Sequence, residues 1–123
     1  MDRGPTINHQ RLDMIRAIQR PDGSSLLERV IHLFEGESAA LLIQLEDAIE
    51  RHQAEEIRTV AHKFKSVSGN VGADALAACC LELEQKGRDD RLDGSAEILE
   101  EIRSEHGKAS VALRSELDQL SGN

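Results

Sequence analysis

The chain has no tryptophan and no tyrosine, and Phe34 and Phe64 are its only phenylalanines. Sheet cores draw heavily on aromatic and β-branched side chains; here the core must come from Leu, Ile, Val and Ala, which favours packed helices. Proline is nearly as scarce. Pro5 and Pro21 both lie near the N-terminus, so nothing after Pro21 forbids a long helix. The only cysteines are the adjacent Cys79 and Cys80. Neighbouring residues on a helix point about 100° apart and make a poor disulfide, which suggests reduced thiols in a cytoplasmic protein. No apolar run approaches the roughly 20 residues of a membrane span, and the first ten residues are too polar for a secretory signal. No direct membrane contact is expected. Basic residues are outnumbered, 15 against 23 acidic, and the net charge of −8 repels phosphate backbones, so nucleic acid is not an expected partner. No phosphate-cradling glycine loop of the Walker or kinase type occurs, so the chain has no ATP site of its own. A di-metal site in a helical bundle wants Glu-x-x-His pairs. The residues three before His32, His52, His62 and His106 are Arg29, Ile49, Thr59 and Arg103, so no metal site is expected.

What remains fits one domain of 123 residues with one modest core. Residues 1–7 resemble a flexible tail, 8–120 a folded domain, and 121–123 a C-terminal tail. Spacing predicts a short helix near 8–19, with Leu12, Ile15 and Ile18 on one side, broken at Arg20-Pro21-Asp22-Gly23. Ser24 or Ser25 can cap the next helix, whose apolar face is Leu26, Leu27, Val30, Ile31 and Phe34. Another helical pattern, from about Glu37 to His52, carries Leu41, Leu42, Leu45, Ala48 and Ile49; Gly36 leaves open whether the two patterns are one helix or two. Helices follow at about 54–68, buried through Ile57, Val60, Ala61 and Phe64, and at about 73–86, buried through Leu76, Ala77, Cys80 and Leu83. The segment Ser68 to Gly72, with two glycines, signals a turn between them. The last helix runs from Leu92 or Ser95 to about Leu120. Leu99, Ile102, His106, Ala109, Leu113 and Leu120 follow a seven-residue repeat there, which makes His106 a packed or boundary residue. The expectation is an all-α fold: an antiparallel four-helix bundle with one or two short N-terminal helices.

One residue stands out. On a helical wheel of residues 54–68, His62 lies about 140° from the middle of the apolar stripe, so it points to solvent. Lys65, Ser66 and Gly69 share its face at i+3, i+4 and i+7. Ser66 and Gly69 are small and leave the imidazole open to a partner's surface, although both cost helix propensity. Lys63 and Lys65 bring positive charge to an acidic protein, where it could meet a phosphoryl group. Neutral imidazole offers a nucleophilic ring nitrogen near pH 7. Alone, an exposed helical histidine is ordinarily just a solvated side chain.

The stretch Ala61-His62-Lys63-Phe64-Lys65-Ser66-Val67-Ser68-Gly69-Asn70-Val71-Gly72-Ala73-Asp74-Ala75-Leu76, followed by Cys80-Leu81-Glu82-Leu83-Glu84, resembles the signature of histidine-containing phosphotransfer (HPt) domains of bacterial two-component systems. The resemblance covers about residues 24–118. It implies that His62 is phosphorylated, that Lys65 and also Lys63 support the phosphoryl group, and that Ser66 and Gly69 permit docking. Ser66 replaces the family's usual glycine. Glu84 replaces a glutamine of some members; a carboxylate there is expected to help less, and Glu84 is not counted among the site residues. The resemblance further implies a phosphorelay carrier without kinase activity. Its partners would be receiver domains and a hybrid sensor kinase, with magnesium held by the receiver and no cofactor of its own. A cytoplasmic monomer is expected, either free-standing or as a domain of a membrane-anchored hybrid kinase. The alternative is a helical interaction module that binds a receiver or kinase domain without phosphoryl transfer.

Overall fold

A computed structural model describes residues 2–18 and 25–121. The elements are α1 (His9–Ala17), α2 (Leu26–Glu50), α3 (Ala54–Asn70), α4 (Asp74–Asp89) and α5 (Ser95–Ser121). The four long helices are joined by short turns and run antiparallel. α3 packs most extensively on α4 and next on α2; α5 closes the square against α4 and α2, and α1 leans on α2. This is the expected four-helix bundle with one short N-terminal helix.

The polar residues that begin the first two helices do so by identifiable bonds. Asn8 caps α1 by accepting from the Arg11 amide, and Ser25 caps α2 by accepting from the Glu28 amide. The predicted break at residues 20–23 lies outside the described residues. α2 is a single helix of 25 residues, because Gly36 sits on its exposed face and interrupts no packing. Residues 51–53 then turn the chain into α3.

The core gathers Leu27, Ile31, Phe34 and Leu45 from α2, Ile57, Val60, Ala61 and Phe64 from α3, and Leu76, Cys79, Cys80 and Leu83 from α4. α5 completes it with Ile102, Ala109 and Leu113. Both thiols are reduced and buried; burial pushes Cys79 up to about 11 and raises Cys80 as well, which keeps both protonated. His106 is half-buried between Phe34 and Phe64, at ring-centroid distances of 6.0 and 6.1 Å, with its Nε2 2.9 Å from Ser38 Oγ.

Several expectations need correction. Residues 2–7 do not hang free. Ile7 is buried, the Pro5 carbonyl accepts from the Ala75 amide at 2.9 Å, and Arg3 pairs with Glu82 and Glu101. Ile18 is exposed, unlike Leu12 and Ile15. Ala77 is half-buried while Cys79 takes the core position. Leu120 is exposed and Leu117 is buried. A straight helix drifts about 20° per heptad from a seven-residue repeat. Three heptads after Leu99, that drift has turned the position away from the core.

Candidate functional site

The buried stripe of α3 fixes where His62 points. With Ile57, Val60, Ala61 and Phe64 all turned inward, the ring of His62 emerges on the outer side, and its side chain is 57% exposed. The helix continues through Gly69 to Asn70, and the turn is made at residues 71–73 by Gly72, with φ +74°. The anticipated turn at 68–72 therefore begins later, and Gly69 remains on the helix face two turns beyond His62. A Cβ added at Gly69 would meet nothing within 4 Å, so the fold itself does not require glycine there. The Ser66 hydroxyl folds back and donates to the His62 carbonyl at 3.2 Å, which keeps the face beside the ring low. A shallow groove on this side joins His62, Lys63 and Ser66 to Glu37, Ala40 and Gln44 of α2.

On the other side of the ring stands a residue left out of the expected set. Glu84 of α4 is almost entirely buried, with 3% of its side chain exposed. Its Oε2 lies 3.1 Å from His62 Nδ1, and its Oε1 lies 2.8 Å from Lys65 Nζ. The Arg88 guanidinium donates to Oε2 at 3.1 Å from one turn further along α4. Burial would drive this carboxyl toward protonation, but the bonds from Lys65 and His62 outweigh it and hold Glu84 below the usual carboxylate range. An ionised Glu84 can only accept, so Nδ1 of His62 is the donor. In the neutral ring the second nitrogen, Nε2, then carries the lone pair.

The expected residues thus divide. His62, Ser66 and Gly69 form one open face; Lys63 lies on the α2 side of the ring; Lys65 lies on the α4 side, engaged by Glu84. A usable signal for Glu84 was present. It falls four residues after Cys80 and eight after Leu76, on the buried stripe of α4. A carboxylate on an apolar stripe must find donors. No cluster of His, Cys, Asp or Glu among the described residues could hold a metal ion. No described helix is long and apolar enough to cross a membrane.

Comparison with solved structures returns histidine-containing phosphotransfer protein B of Pseudomonas aeruginosa PAO1, with a TM-score of 0.85 at 24% identity over 94% of this chain and 97% of that one. The likeness shows that the two share a fold. No curated protein sequence matches the chain. The family model described as Hpt domain matches residues 29–123, which takes in α3, α4 and the whole constellation around His62. On that match the chain belongs to the Hpt domain family, whose members act in phosphorelays as phosphotransfer carriers and not as kinases.

Proposed function

We propose that this chain carries a phosphoryl group on Nε2 of His62 between the aspartates of two receiver domains. The observation that carries this reading is the His62–Glu84 contact of 3.1 Å. It ties Nδ1 to a buried carboxylate and leaves Nε2 as the exposed nucleophile. In the first step the Nε2 lone pair attacks the phosphorus of a receiver's aspartyl phosphate. The N–P bond forms as the P–O bond breaks, and the aspartate leaves as a carboxylate. Glu84 stabilises the positive charge that the ring gains, because it holds the Nδ1 proton. The second transfer is the reverse reaction on a different receiver. Such chemistry depends on positioning and charge stabilisation more than on covalent help from the carrier. Lys65 balances the negative charge at the site, and Lys63 adds positive charge on the docking side. Ser66 and Gly69 let the receiver approach. Magnesium belongs to the receiver, so this chain brings no cofactor.

The test is incubation with a receiver domain phosphorylated by radiolabelled acetyl phosphate. Acid-labile, alkali-stable label should appear on the chain and be absent from a folded His62→Gln variant, with slower labelling of Lys65→Ala. A wild-type chain that binds the receiver and stays unlabelled would support the interaction module instead. Label persisting on His62→Gln would displace the phosphoryl group to another residue.

A further inference from the structure

Gly87 lies inside α4, where glycine costs about 1 kcal/mol relative to alanine. Its φ is not in the left-handed region, so no turn demands it. Space does. A Cβ added at Gly87 would stand 2.7 Å from both the Ala54 carbonyl oxygen and the Arg58 amide nitrogen, and 3.1 Å from the Arg58 Cα. All three are main-chain atoms of α3 and cannot swing aside as a side-chain end could. Among the described glycines, none brings two backbones closer.

The position of this crossing matters. Arg58 is one turn before His62 on α3, and Gly87 is one turn after Glu84 on the antiparallel α4. The crossing therefore lies one level, about 5.4 Å, from the His62–Glu84 pair. From α4, Glu84 must reach His62 Nδ1 at 3.1 Å and Lys65 Nζ at 2.8 Å together. The first is a hydrogen bond and the second an ion pair, and both weaken as the helices separate.

We infer that Gly87 is a positioning residue: its missing side chain holds α4 against α3 at the spacing that lets Glu84 bridge His62 and Lys65. This rests on the carrier reading above. Gly87 touches neither the ring nor the phosphoryl group and acts through Glu84 alone. A Cβ there wedges the helices apart, Glu84 loses its grip on Nδ1, and the ring is free to take the other tautomer.

The experiment uses the full chain, a labelled phospho-receiver as donor, and ¹⁵N spectra of the His62 ring. Gly87→Ala should slow transfer about tenfold at saturating receiver with receiver affinity unchanged. Combined with Glu84→Ala, it should add no further loss. Its ring spectrum should move away from the Nδ1–H tautomer expected of wild type. Glu84→Asp, one methylene shorter, should lose the same contact at unchanged helix spacing and transfer as slowly as Glu84→Ala. Leu113→Ala, a core truncation on α5, should keep the wild-type rate. A wild-type rate for Gly87→Ala or Glu84→Asp would overturn the inference, as would a Gly87→Ala loss that persists undiminished beside Glu84→Ala, or equal slowing by Leu113→Ala. If Gly87→Ala does not fold, Glu84→Asp decides. A wild-type chain that accepts no label strikes the carrier reading itself, while the ring spectra still report on the spacing.

Discussion

At the scale of single residues, the site is defined by how Glu84 is satisfied. A buried carboxylate without partners would take up a proton, since its ionised form is costly away from water. Here Lys65, His62 and Arg88 all converge on it, and the charge is kept. Its folded-state value therefore lies below the ordinary 4.5, so the unfolded chain binds the proton more readily. The stability that Glu84 contributes is present at neutral pH and is lost as pH falls through the folded value. Glu84→Gln should therefore unfold at lower denaturant than wild type at pH 7, by about 1–3 kcal/mol, with the gap closing as the pH falls from the ordinary 4.5 through the lower folded value. Chemical denaturation of both proteins at a series of pH values measures it. A gap that stays constant would show that ionisation of Glu84 is not what stabilises the fold. The exposed histidine and its small neighbours were legible in the sequence because they follow directly from the α3 stripe. For Glu84 only its place on the buried stripe of α4 was legible; its contacts with His62 and Lys65 were not, because they depend on how α3 meets α4.

At the scale of elements, the periodic helices were legible and the non-periodic contacts were not. Apolar spacing located all five helices to within a few residues, since burial on one face is what forms them. The continuity of α2 stayed open, because a glycine within a helix costs only about 1 kcal/mol and 25 residues of packing override it. The docking of residues 2–7 had no periodic signal at all, since it is made by one main-chain bond to Pro5, the ion pairs of Arg3 and a single apolar side chain, Ile7. That segment matters to α4. Its N-cap, Ala73, has no side chain to satisfy the first amides, and the Pro5 carbonyl takes the Ala75 amide instead. Asn8 joins the same end, with its side chain donating to Asp74 at 3.1 Å. Deleting residues 1–7 while keeping Asn8 should cost about 2–4 kcal/mol, from the burial of Ile7 and the lost cap. Hydrogen exchange should show the first turn of α4 losing protection, with the centre of α3 little affected. An unchanged denaturation midpoint would mean that the segment rests on the bundle without supporting it.

At the scale of the whole molecule, the acidic chain with its four helices is held by one aliphatic core into which α5 inserts a single polar ring. His106 meets Phe34 from α2 and Phe64 from α3, and its Nε2 is 2.9 Å from Ser38 Oγ, whose residue is fully buried. Burial lowers its proton affinity below that of an ordinary histidine, so the folded protein holds it neutral. The unfolded chain protonates this residue first as pH falls. Its neutral form therefore contributes stability above about 6.5, and that contribution declines on acidification toward the lower folded value. Because the ring is shared by three of the four long helices, the loss belongs to the bundle as a unit and not to α5 alone. The wild-type midpoint of unfolding should fall between pH 7.5 and about 5.5, with a single cooperative transition retained. His106→Gln, which keeps a hydrogen-bonding group for Ser38 but cannot titrate, should start less stable because it fills less of the space between the two phenylalanines. It should then show a shallower pH slope over the same interval. An identical slope in the two proteins would move the pH dependence to other groups and leave His106 as packing alone.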